Sequence, residues 1–428
     1  MCLDRTTQAL YVPIDVGKNV HSYAAYVGPY LKQIIPPRET RTHRPSYERF
    51  KAWLTELVQS QQYDPIILGI EPTGVYHEPW AYALQRDFGP PVTLHIVNPF
   101  RTRQKRKQLQ NRAERKTDPI DNEALAHCLR DGLGRPFSMP SADIQALDLC
   151  CRRYDILKRD RQRLTQRLRT LLDRLWPGAL VDVKKFQNAH PDLDLPVPLV
   201  RTRPFERELV HTVLKLDANP YVWQALSVAQ IQDRLHKTGI RCGPVTAQRI
   251  WQVAHHALLP PVDLAQQLAH QVQEDLQRFQ RLSQNLAQLK ARAEALVRRS
   301  PGAVVATVPG IGDFLAAQYV GLVADIQRFD HADQVWALAG FDIVQENSGD
   351  QRRRGHLTKR GRPYARAVLY RMGLNASSAC PAVRRAKQRA RQRGKSKVIA
   401  NIHAAHKTNR ICFHLYRHGI PFDPSQSR

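Results

Sequence analysis

Four acidic residues in the first third of the chain have the types and spacing of a metal-dependent catalytic site. They are Asp15 in Ile-Asp-Val-Gly-Lys, Glu71 in Gly-Ile-Glu-Pro-Thr-Gly, and Asp118 and Asp121 in Thr-Asp-Pro-Ile-Asp-Asn. Carboxylates gathered at close range repel one another and raise each other's pKa. Mg²⁺ relieves such repulsion because it prefers hard oxygen ligands, and paired ions assist displacement at a phosphodiester. The acids therefore predict a site for Mg²⁺, or alternatively Mn²⁺, that acts on phosphodiesters.

A simpler structural explanation exists for some of these acids. Helix capping alone would account for Asp118. Burial of Asp15 in an otherwise apolar strand is harder to explain without a ligand or a partner. Because the order of the elements and all four acids agree, metal binding is the favoured interpretation.

The apolar segments around the acids predict an α/β domain followed by an all-α region. Strands are predicted at 10–16, 23–27, 31–35, 65–71 and 92–97, and helices at 47–58, at 78–87 and from Asp118 onward. This order is typical of the ribonuclease-H-like fold, in which the first three strands are antiparallel and later strands are parallel. Asp15 and Glu71 would then lie on adjacent strands. A spacing of three residues would place Asp118 and Asp121 on one helix face beside them.

The remainder of the chain is predicted to be mainly helical. Apolar residues recur at coiled-coil spacing in 144–175 and 264–297, and the sequence leaves open whether these helices pair within one chain or between chains. A proline-broken segment at about 177–261 predicts an inserted subdomain without a chemical motif. We expect three regions, at 1–137, 138–300 and 301–428.

The composition favours a polyanionic partner. The chain has 65 Lys and Arg residues against 38 Asp and Glu, a net charge of +27. Nucleic acid fits this charge better than a membrane, because no apolar run approaches the roughly 20 residues that span a bilayer, and no signal peptide opens the chain. We therefore expect a cytoplasmic, nucleoid-associated protein. Seven cysteines without a C-x-x-C pair argue against a disulfide or zinc framework.

Two regions are predicted to contact the phosphate backbone. The first contains the basic residues Arg101, Arg103, Lys105, Arg106, Lys107 and Arg112, with a solvated surface loop as the alternative. The second combines a turn typical of helix-hairpin-helix elements, where backbone N–H groups can hold a phosphate, with a basic run. Its predicted contact residues are Gly310, Gly312, Arg352, Arg353, Arg354, Lys359, Arg360 and Arg362. Residues 351–422 contain 19 Lys and Arg and no acid; a disordered basic tail would explain 384–397 but not the apolar helix at 364–374.

Ser348 lies in an Asn-Ser-Gly turn at the edge of this basic region. Positive charge or a metal would suit its activation as a nucleophile. Taken alone, Ser-Gly is a common turn, so the residue types do not decide the role of Ser348.

Taken together, the motifs resemble those of the DEDD transposases of the one-ten family of bacterial insertion sequences, which are bridge-RNA-guided recombinases. The resembling segments are 14–18, 69–74, 116–126, 308–312, 329–340, 348–349 and 355–361. The resemblance implies a RuvC-like domain whose metal acids match Asp15, Glu71, Asp118 and Asp121. It also implies a C-terminal transposase domain whose serine, at Ser348, attacks DNA to form a covalent phosphoserine link.

The expected partners follow from the same resemblance. They are donor and target DNA, a structured RNA that pairs with both, and further copies of this chain, as a dimer or tetramer held by the long helices. The chain departs from the family pattern in the 177–261 insertion and in Gly361-Arg-Pro, where Gly-Asn is usual. The insertion leaves the subunit arrangement and the RNA contacts open.

Two other functions share some of these features. A metal-dependent junction resolvase or nuclease would use the same acids with water and would need no serine. A non-catalytic RNA-binding protein would need only the basic segments.

Overall fold

The computed structural model describes residues 8–109, 117–200, 204–344, 347–348, 351–352, 356–357 and 361–426; within these ranges the side chains of 118, 343–356 and 426 are not described. The chain divides into two compact units. The first runs to Ser141 and includes Asp325–Gln334, and the second contains Ala142–Ala324 and the chain from Val335 onward.

A mixed six-stranded sheet forms the centre of the first unit. Its strands are β1 Gln8–Val16, β2 Val20–Val27, β3 Lys32–Arg41, β4 Tyr63–Ile70, β5 Val92–Val97 and β6 Gly134–Pro136. Its helices are α1 Arg44–Gln59, α2 Glu78–Asp87, α3 Pro99–Leu109 and α4 Asp118–Arg130. The order across the sheet is β3-β2-β1-β4-β5-β6. Strands β1 to β3 pair antiparallel, and β4 pairs parallel with β1 and β5, which confirms the predicted ribonuclease-H-like fold.

Strand alternation gives this sheet two different faces. Leu10, Val12 and Ile14 of β1 join a core that contains Phe50 of α1 and Trp80 of α2. The intervening Tyr11 packs instead against α4 residues on the opposite face. Helix α4 therefore covers the face on which Asp15 lies. The sequence patterns did not predict α3 or β6.

The second unit is mainly helical. The long helices are α5 Ala142–Leu175 and α11 Val262–Arg298. Between them lie α6 Val183–Ala189, α7 Glu208–Leu216, α8 Pro220–Gln224, α9 Val228–His236 and α10 Pro244–His256. After them come α12 Asp313–Val323, α13 Ala332–Leu338, α14 Pro363–Ala379, α15 Pro381–Gln392 and α16 Lys397–His418. Short strands β7 Ile343–Val344, β8 Asn347–Ser348, β9 Gln351–Arg352 and β10 His356–Leu357 precede α14.

Helices α5 and α11 pack along each other within the chain. The 177–261 segment shares one core with the facing ends of these helices, which includes Trp176, Trp223 and Leu268. The Trp176 indole N–H donates to the Ala218 carbonyl at 2.7 Å. The segment is thus folded onto the helical pair.

The basic C-terminal segment is helical. Val383 and Ala390 of α15 are buried, and α15 packs against α14 and α16. Gly373 allows α14 and α16 to approach closely, because a Cβ there would lie 2.4 Å from the Ala405 nitrogen. In the part of the chain that the structure describes, no helix is long and apolar enough to cross a membrane.

Candidate active site

The register between β1 and β4 brings the first two acids together. Ile14 pairs with Ile70 in this parallel ladder, so the next residues along, Asp15 and Glu71, lie side by side where the strands end. Ile14 and Ile70 belong to the core under α1 and α2. Alternation therefore turns Asp15 and Glu71 toward the face that α4 covers.

Helix α4 brings the third acid to the same place. The Asp121 carboxylate lies in the first turn of α4 and the residue is 7% exposed. The next residue, Asn122, donates from its side-chain amide to the Ser22 hydroxyl at 2.8 Å. Since Ser22 is the cross-strand partner of Asp15, this hydrogen bond holds the start of α4 beside Asp15.

A glycine in β4 lets α4 approach the sheet closely enough for this arrangement. A Cβ at Gly69 would lie only 2.5 Å from Leu129 Cδ1. Leu129 is buried in the cluster between α4 and the sheet. The small residue two positions before Glu71 therefore sets the distance between α4 and β4.

The electrostatics of the site follow from this crowding. Burial is the main cause of a raised pKa at Glu71, and the carboxylates of Asp15 and Asp121 raise it further. The neighbouring Thr102 hydroxyl and the Arg106 guanidinium act in the opposite direction. The three carboxyl groups are thus close enough to influence one another, in surroundings that disfavour their combined charge.

Helix α3 supplies the positive charge that compensates this cluster. The Arg106 guanidinium forms an ion pair with the Asp121 carboxylate. At the other end of α4, Lys105 Nζ lies 2.5 Å from Asp131 Oδ2, which is not one of the clustered acids. Thr102, four residues before Arg106, is 1% exposed. The sequence patterns missed this role of α3, although the spacing of Thr102 and Arg106 on one helix face was a usable signal.

The predicted metal site is only partly described. Helix α4 begins at Asp118, one turn before Asp121, but the Asp118 side chain lies outside the described residues. Among the side chains that the structure describes, no group of three or more His, Cys, Asp or Glu residues could hold a metal ion as placed. The donor set nevertheless fits Mg²⁺ chemically, because its oxygen donors are buried or half-buried and close enough to repel one another.

The remaining predicted residues are in the C-terminal third or the α3 region. Ser348 lies in β8, where it pairs with Gln351 of β9, and its side chain is not described. Arg101, Arg103 and Lys107 lie on exposed positions of α3, and Arg362 on the exposed residue before α14. The predicted contacts at Arg112, Arg353, Arg354, Lys359 and Arg360, and the side chain of Arg352, fall outside the described residues.

The predicted glycine turn has a clear packing role. Gly310 has a φ of +88°, and a Cβ there would lie 2.6 Å from the Asn375 carbonyl oxygen of α14. Gly312 is the residue immediately before α12. A 3₁₀ segment at Pro301–Thr307 precedes the turn in place of an α-helix. Phosphate binding at this turn stays a prediction.

The strand order and register place the first unit in the ribonuclease-H-like class of folds. A family model described as transposase matches residues 12–177, and a second, described as transposase of the IS116/IS110/IS902 family, matches residues 302–389. The chain therefore belongs to the IS110 family of transposases, enzymes that cleave and rejoin DNA.

The solved structures that resemble this chain include one with a low TM-score. It is T. thermophilus RuvC in complex with a Holliday junction substrate, with 14% identity and a TM-score of 0.23, covering 30% of this chain and 99% of that one. A comparison with curated proteins gives no match. The fold assignment rests on the strand order and register described above.

Proposed function

We propose that this transposase cleaves DNA by a composite mechanism, in which the acids of the first unit assist the attack of Ser348 on a phosphodiester. The observation that supports it best is the convergence of Asp15, Glu71 and Asp121 at the ends of β1 and β4. Three buried or half-buried carboxylates whose charges disfavour one another have little structural use. They make chemical sense as ligands for a divalent cation.

In this proposal Asp15, Glu71, Asp118 and Asp121 would hold Mg²⁺ or Mn²⁺. When bound, such a cation would stabilise the negative charge that develops on the phosphate and favour ionisation of the attacking hydroxyl. The Arg106 side chain must then leave Asp121 or share it, because its guanidinium already contacts that carboxylate. Arg106 thus maintains the charge balance of the metal-free site.

The chemical step conserves the phosphodiester. The Ser348 hydroxyl loses its proton and its oxygen forms a bond to phosphorus. The bond from phosphorus to one deoxyribose oxygen breaks, and the released DNA hydroxyl takes a proton. Attack on the phosphoserine by a DNA hydroxyl from another strand would rejoin the DNA and restore the serine. The assignment of Ser348 rests on the motif order and on its position in the family's Ser-Gly motif.

The decisive experiment looks for a covalent protein–DNA adduct. The full chain, with any RNA that copurifies, is incubated with labelled DNA carrying an insertion-sequence end and Mg²⁺, and the products are separated under denaturing conditions. We expect an adduct with the wild type and none with Ser348→Ala or Asp15→Asn. Ser425→Ala, which alters an exposed serine near the C-terminus, is the matched control and should behave as the wild type.

Other results would contradict the proposal in different ways. Cleavage without an adduct, retained by Ser348→Ala but lost in Asp15→Asn, would show a nuclease that uses water. Unchanged function after Glu71→Ala would show that the acids are not catalytic. Binding of Mn²⁺, followed by electron paramagnetic resonance, gives a readout independent of activity, and Asp15→Asn and Asp121→Asn should each weaken it.

We also propose that a structured RNA selects the DNA. The support is the resemblance, and the net charge of +27 is compatible with a second polyanionic partner besides DNA. Sequencing the RNA that copurifies with the chain tests this proposal. A recurrent RNA with segments complementary to the donor and target ends is expected, and only heterogeneous cellular RNA would contradict it.

A further inference from the structure

A basic groove lies between α14 and α15 in the second unit, and its lining includes none of the acids described above. It is open, has a volume of about 530 Å³, and is lined by Ser377, Arg384, Lys387, Gln388, Arg391 and Gln392. None of these lining residues is acidic. The groove therefore combines three cationic side chains with hydroxyl and amide groups, which are the groups that bind phosphate oxygens.

The cationic side chains are held in place by neutral acceptors. Arg384 donates through Nε to the Ser377 carbonyl at 3.4 Å and also contacts the Ser378 carbonyl. Lys387 Nζ lies 3.3 Å from the Ser377 hydroxyl, and Arg391 donates to the Lys395 carbonyl at 2.7 Å. These contacts orient the side chains. Because the acceptors are uncharged carbonyl and hydroxyl oxygens, they do not neutralise the positive charges.

The spacing along α15 fits an extended polyanion. Arg384, Lys387, Gln388 and Arg391 follow the i, i+3, i+4, i+7 pattern of one helix face. That stretch is about 10 Å long at 1.5 Å per residue. One strand of a duplex carries a phosphate about every 3.4 Å along its axis, so the row is long enough for more than one phosphate.

We propose that this groove binds the phosphodiester backbone of duplex DNA. We take DNA as the ligand because the family to which the chain belongs acts on DNA. Only this choice of ligand rests on the proposed function. The contacts would be made to phosphates, so they would position the DNA and carry no sequence preference.

The experiment measures binding of the full chain to a 20-base-pair duplex by fluorescence anisotropy over a range of salt concentrations. EDTA is present, so that no cleavage occurs. The logarithm of the affinity falls linearly with the logarithm of the salt concentration, and each lost phosphate contact makes this slope shallower by about 0.9. The double variant Lys387→Gln/Arg391→Gln keeps Arg384 of α15, which contacts the carbonyls at the end of α14, and should reduce the magnitude of the slope by about 1.8.

The control is Arg389→Gln/Arg393→Gln. It removes the same charge from the same end of the chain, at exposed positions that are not among the groove-lining residues. We expect it to change the slope much less. The proposed site would be wrong if both double variants reduced the salt dependence equally, or if neither reduced it. A loss confined to an RNA hairpin of matched length would overturn DNA as its ligand.

Thermal melting shows whether the test variant remains folded. If the double variant melts early, Arg391→Gln alone, which removes only the outermost cation, should still make the slope shallower by about 0.9; an unchanged slope would overturn the proposal. These measurements need no cleavage. An absent Ser348 adduct would therefore disprove the serine mechanism and leave the groove result standing.

Discussion

Arg106 and Asp121 form an ion pair between α3 and α4, and the pair lies within the cluster of candidate active-site carboxylates. The Asp121 side chain is 9% exposed and that of Arg106 is 20% exposed. The guanidinium thus provides a positive charge where three carboxylates converge. A bound cation and Arg106 would serve the same electrostatic purpose.

We therefore expect Arg106→Ala to destabilise the metal-free protein and to increase its response to Mg²⁺. Removing one partner of a fully buried pair costs about 3–5 kcal/mol, and the partial exposure here reduces that to about 1–3 kcal/mol. Thermal unfolding in EDTA and then in Mg²⁺ measures both effects. Arg103→Ala, at an exposed position of the same helix, is the control; equal behaviour of the two variants would refute the prediction.

Substitution of Gly69 should separate α4 from the sheet. In Gly69→Ala the new methyl group would lie 2.5 Å from Leu129 Cδ1, and such overpacking typically costs about 1–3 kcal/mol. We expect lower stability, measured by urea unfolding, and reduced DNA cleavage because Asp121 moves relative to Glu71.

Two further variants test the cause of the Gly69 effect. Gly89→Ala is the control, since a Cβ there meets nothing within 4 Å. The double variant Gly69→Ala/Leu129→Ala should lose less free energy of unfolding than the sum of the losses in the two single variants. Additive losses would show that Leu129 is not the obstacle.

The Asn122–Ser22 hydrogen bond should contribute to both stability and site geometry. Asn122 is fully buried and Ser22 is 5% exposed, and a buried group that loses its partner costs about 1–3 kcal/mol. A double-mutant cycle of Asn122→Ala and Ser22→Ala, followed by urea unfolding, measures the coupling. We expect the second substitution to add little once the first is made. A coupling energy near zero would contradict the assignment.

The stability of the first unit should depend on pH through Asp87. Hydrogen bonds from Arg86 at 2.7 Å, Lys51 at 3.0 Å and Tyr47 at 3.0 Å hold the pKa of the Asp87 carboxyl well below its usual value. A lowered folded-state pKa stabilises the fold above the unfolded pKa, and this contribution is lost as pH falls through the folded value.

Asp87→Asn should therefore cost about 1–3 kcal/mol at pH 7, and the deficit should shrink progressively below the ordinary Asp pKa of 3.8. Urea unfolding at several pH values measures it. Glu48→Gln is the control, because the exposed Glu48–Arg44 pair at 3.5 Å contributes only about 0–1 kcal/mol. A deficit that is constant with pH would exclude an electrostatic origin.

Local patterns predicted much of the first unit. Period-two apolar alternation places residues on a strand and on a face, so the adjacency of Asp15 and Glu71 followed once β1 and β4 were predicted as neighbours. The i, i+3 spacing of Asp118 and Asp121 is likewise a local property of a helix. Such features can be predicted because they depend on residues that are close in sequence.

Other features depended on contacts between distant segments. Helix α3 is strongly polar and has no apolar stripe, so apolar periodicity did not reveal it; its ion pair with α4 became visible only in the tertiary structure. The groove between α14 and α15 requires two helices at a particular distance, which composition does not encode.

The pairing of α5 and α11 is the clearest example of this division. Their apolar spacing predicted two long helices with a packing seam. The same seam can be buried within one chain or between two, because both arrangements remove the same apolar surface from water. The sequence by itself thus determined the two long helices, the order of the first strands and the positions of the acids along the chain. The tertiary structure decided which elements pack together, since pairing depends on which surfaces the connecting chain brings together.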